Sequence, residues 1–301
     1  MSFPTVFLSC LMPVNVAIQG FQGSYHELAA RQDFGAAPAL AYCSTFDAVV
    51  AQVLSGDADA GLMAIENSLA GSIMPNFTLL EKSALRITGE VYLPIHQQLL
   101  ALPGTTLADV RAVHSHPMAL RQCYGYLRRQ PQWQLVETDD TGRSAQVLAE
   151  ERTPGVAVVA GAQAARLFNL AVLTPDIHDD PLNYTRFLVL EPEHPAAPVL
   201  GVDVNKASLY FYTNHTPGSL AKVLTHLAHH GLNLSKLESC PLLGQPWHYG
   251  FHADVEFEAP AQFTAMLDEL NRLTECLRVL GTYRRGEQQD FAMTAPLAEN
   301  A

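Results

Sequence analysis

The chain lacks the marks of several protein classes. It has no Cys-x-x-Cys, and its five cysteines (Cys10, Cys43, Cys123, Cys240 and Cys276) are scattered and odd in number. That argues against a disulfide framework and fits reduced thiols in a cytoplasmic protein. It has no His-Glu-x-x-His among its 12 histidines. With no convergent set of ligands legible, no metal or other cofactor is expected. No uninterrupted apolar run approaches membrane-spanning length. Met1–Val16 has no basic residue before its apolar part and is broken by Pro4 and Pro13, which argues against a secretory signal. Basic residues are also in deficit: 18 Lys and Arg against 30 Asp and Glu give a net charge of −12. Phosphate backbones need a basic surface, so nucleic acid is excluded as a partner, and a membrane is not expected either. A small anionic substrate stays open, because backbone N–H groups at helix starts and one or two local cations can hold it.

What is present describes a globular protein. Apolar residues make up 48% and charged residues 16% of 301 positions. That length exceeds what one compact core holds, so two or three domains are expected. The first half alternates short apolar runs with helical periodicity. Strands are expected at Val14–Ile18, Ala60–Ile65 and Ala84–Val91, with helices at Tyr25–Gln32, Phe46–Leu54 and Ile73–Leu80. This is the rhythm of a mostly parallel, helix-covered sheet. A second run follows: strand Gln97–Ala101, a short helix at Leu107–Val110, helices Met118–Arg128 and Ser144–Glu151, strand Val156–Ala160 and helix Ala162–Phe168. Asn183–Leu190 then returns as a strand. Two α/β lobes joined by two crossing segments would place Gln97 and Thr185 near a hinge, beside a cleft suited to a ligand.

Glu191–Val204 carries Pro192, Pro195 and Pro198 and reads as a linker. Beyond it the order is β (Ser208–Thr213), α (Ser219–His230), β (Leu232–Ser239), β (Trp247–Glu256), α (Ala261–Leu273) and β (Leu277–Tyr283), a ferredoxin-like βαββαβ unit. The tail from Arg285 has little to bury and is expected to be loose.

Five short motifs carry the chemistry. Gly20-Phe21-Gln22-Gly23-Ser24-Tyr25 joins a strand to a helix, where glycines permit a tight turn and Ser24 can cap. Glu66-Asn67-Ser68 closes a strand and is followed by Gly71. Ser115-His116-Pro117 opens a helix. Asn183-Tyr184-Thr185-Arg186-Phe187 puts a hydroxyl and a cationic fork at the mouth of an apolar strand. Asn233-Leu234-Ser235-Lys236-Leu237-Glu238-Ser239 lies near the C-terminus. On local pattern alone each also reads as an ordinary turn, cap or edge.

In this order and spacing the set resembles prephenate dehydratase carrying a C-terminal ACT regulatory domain, over about residues 14 to 285. The resemblance implies a two-lobed, periplasmic-binding-protein-like α/β catalytic domain over 14–192, a linker over 193–206 and an ACT domain over 207–285. It implies conversion of prephenate to phenylpyruvate, with Thr185, Arg186 and Phe187 in the catalytic role. Arg186 would clamp a carboxylate. Gly23, Ser24, Glu66, Asn67, Ser68, Gly71, Ser115, His116 and Thr141 would bind substrate. Phenylalanine would act as effector at Gly218, Ser219, Leu220, Asn233, Leu234, Glu238 and Ser239, with ACT domains pairing into a homodimer or homotetramer. The chain departs from the pattern at three places: Pro75-Asn76-Phe77 where a Thr often stands, Met118 where Gln is usual, and Cys240 where Arg is common. Arogenate dehydratase and a non-enzymatic amino-acid-binding protein remain as rivals.

Overall fold

The computed structural model describes residues 14–35, 37–193, 201–242 and 244–287. The first lobe contains β1 (Asn15–Gln19), α1 (Tyr25–Phe34), β2 (Ala39–Cys43), α2 (Phe46–Ser55), β3 (Ala60–Asn67), β4 (Gly71–Ser72), α3 (Met74–Lys82) and β5 (Leu85–Pro94). The second lobe contains β6 (Gln98–Ala101), a 3-10 turn (Leu107–Asp109), β7 (Ala112–Ser115), α4 (Pro117–Gln122), α5 (Tyr124–Leu127), β8 (Gln134–Glu137), α6 (Thr141–Glu151), β9 (Val156–Ala160), α7 (Ala162–Leu167) and β10 (Ala171–Thr174). β11 (Tyr184–Pro192) returns to the first lobe. The C-terminal unit is β12 (Lys206–Tyr212), α8 (Ser219–His229), β13 (Asn233–Pro241), β14 (Tyr249–Glu256), α9 (Pro260–Leu273) and β15 (Cys276–Tyr283).

The second lobe is a five-stranded sheet in the order β10-β6-β9-β7-β8. The other sheet has ten strands and runs through both the first lobe and the C-terminal unit: β13-β14-β12-β15-β5-β11-β3-β1-β2, with β4 on β3. Its β13-β14-β12-β15 portion has the strand order of a ferredoxin-like βαββαβ unit. The seam is β15 against β5, parallel, with Gly281 opposite Ile87. A Cβ at Gly281 would collide with the Ile87 carbonyl oxygen, so only glycine lets the two strands meet there.

Several expectations need correction. Both sheets are mixed: β11 runs antiparallel to β3 and β5 in one, and β6 runs antiparallel to β9 and β10 in the other. β5, before the chain crosses to the second lobe, and β11, after it returns, lie side by side and antiparallel, so a simple β-α-β rhythm does not extend to them. The single helix expected over Met118–Arg128 breaks at Cys123, whose φ of −111° and ψ of 15° leave the α-helical region. Glu191 and Pro192 belong to β11 and not to a linker; residues 194–200 lie outside the described set. The tail is tied where it is described: the Arg285 amide donates to Asn205 Oδ1 at 2.7 Å and the Gly286 amide to Glu90 Oε1 at 3.1 Å.

The ten-stranded sheet separates two apolar layers. Phe187 and Val189 of β11 pack with Val16, Ile18, Leu62 and Val91 under α1. Leu188 and Leu190, on the opposite face, pack with Phe77 and Leu80 of α3 and with Tyr210, Cys240 and Tyr283 of the C-terminal unit. This alternation puts Thr185 and Phe187 of β11 on the cleft face; on β3 a bulge at Ile65 resets it, so Asn67 faces the cleft together with Ala64.

Candidate active site

A cavity of about 440 Å³ lies between the lobes. Gln19, Ser24, Tyr25, His26, Asn67, Gln97, His116, Gln122, Asp139, Asp140, Thr141, Thr185 and Phe187 are on its wall, with Phe46, Met118 and several smaller apolar residues. No Lys or Arg lines it among the described residues. Three helix starts converge there: Ser24 caps α1 by accepting from the Glu27 amide at 3.3 Å, His116 caps α4 through Nδ1 at 3.2 Å, and Asp140 caps α6 by accepting from the Arg143 amide at 2.9 Å.

Thr185 sits at the end of a hydrogen-bonded relay of amides. Tyr25 Oη, which donates to the His96 backbone carbonyl at 2.7 Å, also lies 3.3 Å from Gln97 Oε1, and Gln97 Nε2 donates to Gln122 Oε1 at 3.2 Å. Gln122 Nε2 (3.5 Å) and Asn67 Nδ2 (2.8 Å) both donate to Asn183 Oδ1. Asn67 Nδ2 also donates to the Tyr184 carbonyl at 3.0 Å and to Thr185 Oγ1 at 3.1 Å, so its two protons are shared among three acceptors. Because Oγ1 accepts that bond, the Thr185 proton stays available to a cleft ligand. Asn67 is itself pinned, its Oδ1 accepting from the Leu69 and Ala70 amides at 3.0 and 2.9 Å. Gly71, at φ 80°, makes the turn that returns the chain to β4 opposite Asn67.

Not every expected site residue reaches the cavity. Arg186 points the other way: its Nε donates to Glu90 at 2.7 Å, and its other nitrogens bond Asp254 and, at 3.1 Å, Tyr283 Oη. The expected carboxylate clamp is therefore a buried brace between β11 and the C-terminal unit. Glu66 likewise faces that unit, 2.9 Å from Lys236 Nζ. The Ser115 hydroxyl is fully buried and spends its proton on the Val159 carbonyl at 2.6 Å. The Ser68 hydroxyl is on the outside, bonded to the Leu182 carbonyl and the Tyr184 amide. Gly23 shapes the α1 turn at φ 79°, backed by Ala164 and Phe168, and does not line the cavity. Gln122 and His26 carry no signal in the sequence, and Asn183 stands there only as the start of its motif; tertiary structure brings them to Thr185 and the cavity wall.

Burial governs the titratable groups. His26, edge-on to Phe187 at 5.0 Å, has its pKa pushed down to about 4, so the ring is neutral. His116 is also lowered by burial, partly offset by Asp140. Asp140 is raised by burial, against the helix-cap bonds that stabilise its charge.

The proposed effector residues fall in two places. Ser219 and Leu220 line a separate cavity of about 470 Å³ with Thr213, His215, His248 and Tyr249, at the start of α8, where Gly218 takes φ 83°. Asn233, Leu234, Glu238 and Ser239 do not line it. Asn233 bonds Glu256, Leu234 packs under the C-terminal helices, Glu238 accepts from Ser72 Oγ at 2.6 Å, and Ser239 is exposed.

A two-lobed α/β fold with a polar interlobe cleft and an attached βαββαβ unit defines the class: a small-molecule-binding cleft with an appended module. The prephenate dehydratase family model matches residues 16–195. The bifunctional chorismate mutase/prephenate dehydratase of Escherichia coli K12 is 33% identical, covering 89% of this chain and 70% of that protein. Arogenate dehydratase 2 of Petunia hybrida is 38% identical, covering 90% and 71%. The structure of prephenate dehydratase from Arthrobacter aurescens in complex with L-Phe superposes with a TM-score of 0.81 at 30% identity, covering 90% of each chain. The chain belongs to the prephenate dehydratase family. Its reaction removes the ring carboxylate and ring hydroxyl of prephenate as carbon dioxide and water.

Proposed function

We propose that this reaction takes place at Thr185, in the cavity between the lobes. The carrying observation is the Thr185 hydroxyl, fixed by Asn67 with its proton free to donate into the cavity beside Phe187. Aromatisation supplies the thermodynamic drive, so the protein has to orient the ring and hydrogen-bond the departing hydroxyl. A threonine is a poor acid, and its part is to stabilise or relay. With no Lys or Arg on the wall, the substrate carboxylates go to the helix starts at Ser24, His116 and Thr141. Gln97, Gln122 and Asn183 hold the lobes in register around Thr185. The test is a prephenate assay that follows phenylpyruvate absorbance; no turnover would leave the binding-protein reading.

Arogenate is the second reading, and Asp139 and Asp140 favour it: a carboxylate on the wall suits the ammonium that arogenate carries in place of a keto group. The same assay with arogenate decides by the ratio of kcat/KM values.

Catalysis is expected to need no metal, because the wall groups around Thr185 are hydroxyls and amides. Chelator-treated enzyme should keep its kcat; loss restored by a divalent ion would overturn this.

Phenylalanine is proposed as effector in the cavity at the start of α8, on a cytoplasmic enzyme that pairs through its C-terminal units. No helix among the described residues is long and apolar enough to cross a membrane. Tyr249→Ala should weaken phenylalanine binding about tenfold or more, as truncating an aromatic anchor does, and leave uninhibited kcat unchanged. Calorimetry together with inhibition assays reads both. The chain must be kept whole, since ending it near Glu193 would uncover Arg186, Glu90, Leu188 and Leu190.

A further inference from the structure

We propose that Glu81, Cys240 and His252 form a binding site for a divalent, borderline-soft cation of the zinc class, clipping the C-terminal unit to the first lobe. One ligand atom from each residue lies within 4.8 Å of the other two. Glu81 belongs to α3 of the first lobe; Cys240 and His252 belong to the adjacent strands β13 and β14. Cys240 pairs with Gly250 and Glu238 with His252, so Cys240 and His252 are diagonal neighbours on one face of the pair. Gly250 adds no side chain there, and the Tyr210 hydroxyl takes that space and bonds the Glu81 carboxylate, a bond the ion has to share or displace.

The second observation is His252 itself. It is 3% exposed, and neither of its ring nitrogens has a hydrogen-bond partner among the described residues. Its ring lies 4.8 Å from Phe77 and 4.9 Å from Tyr210. A buried imidazole with both nitrogens unpaired is costly, and a cation satisfies the acceptor nitrogen. Burial holds His252 neutral, the form that ligates.

The ligand set selects the ion. Thiolate and imidazole exclude magnesium and calcium, and a mixed sulfur, nitrogen and oxygen set of three suits zinc with water in the fourth position. On binding, the Cys240 S–H bond breaks and its proton leaves to solvent. That proton now goes toward the Gly250 carbonyl, 3.5 Å from the sulfur. The sulfur lone pair, one imidazole lone pair and one carboxylate oxygen bond the ion, with no change of oxidation state. Thiolate and carboxylate together neutralise a divalent charge, which a buried interface requires. The site lies on the face of the ten-stranded sheet opposite Thr185, so it acts on how the two units are joined and not on the reaction.

The test titrates cobalt(II) into the full-length, metal-stripped protein as a spectroscopic stand-in for zinc. Expected are tetrahedral visible bands and a near-ultraviolet thiolate band saturating at one equivalent, and a rise in melting temperature with zinc. Cys240→Ser should lose the thiolate band. His252→Phe, which replaces the unpaired ring by an apolar one between Phe77 and Tyr210, should lose binding while keeping the metal-free melting temperature. Glu81→Gln should weaken binding. No thiolate band in wild type at several equivalents overturns the proposal, as does a band that survives Cys240→Ser. Visible bands that survive both the Cys240 and His252 changes but vanish in His96→Ala also overturn it, by assigning the ion to the other group of possible ligands, His96, Asp176 and His178.

Discussion

Thr185→Ala is expected to lower kcat by about 10²-fold or more while KM stays within a few-fold. A donor used mainly as charge develops in the transition state shows its loss in kcat. Thr185 Oγ1 already accepts from Asn67, so its proton is the group's contribution to the ligand. Thr185→Ser keeps the hydroxyl and loses a methyl, and should retain most of the rate if the chain holds the new side chain in the same rotamer. Asn67→Ala removes the donor that fixes Oγ1 and also frees the Leu69–Ala70 turn, so it should lower kcat and the melting temperature together. Steady-state kinetics on the three variants checks this. A Thr185→Ala enzyme within a few-fold of wild type removes the hydroxyl from the mechanism.

Secondary structure was legible where apolar periodicity is strong. Val156–Ala160 occupies its expected bounds, and the six elements of the C-terminal unit fall within two residues of theirs. β2 went unseen because its residues are mostly half-exposed and show no clean alternation. The motifs are legible as sequence, but a run of adjacent residues is not one contiguous site. A strand points successive side chains to opposite faces, so Thr185-Arg186-Phe187 and Glu66-Asn67 cannot all face one cleft. Applied to β11, that rule alone separates Thr185 and Phe187 from Arg186. The amide relay through Gln97, Gln122 and Asn183 could not be read locally, because its members lie on both lobes and on both crossing segments. The same holds for Glu81, Cys240 and His252, whose spacing in sequence resembles no metal motif.

Arg186→Leu is expected to destabilise the enzyme by about 3–5 kcal/mol, the cost of removing one partner from a buried ion cluster. The melting temperature should fall by about 6 °C or more. Arg186 is 5% exposed and joins Glu90 and Asp254, with Lys206 Nζ also 3.0 Å from Glu90 and the Ser208 hydroxyl donating to Asp254 at 2.6 Å. Burial alone would raise the Asp254 pKa, but the charges of Arg186 and Lys206 outweigh it and hold the carboxyl below its ordinary value. A carboxyl depressed in the folded state contributes stability above its unfolded pKa of about 3.9 and loses it as pH falls through the lower folded value. Without Arg186 the burial effect on Asp254 gains weight. The deficit of the variant should therefore be largest near neutral pH and shrink in acid, as the Asp254 carboxyl protonates and no longer needs a cation. A carboxylate clamp would behave otherwise: KM would rise with the melting temperature intact, and Arg186→Lys would already show it. Melting curves at neutral and acid pH, read beside KM, separate the two. An unchanged melting temperature with a raised KM would return Arg186 to the cleft. Because Arg186 adjoins Thr185 on one strand and bonds Asp254 and Tyr283 of the C-terminal unit, loosening the brace should also lower kcat of the folded fraction, less than Thr185→Ala does.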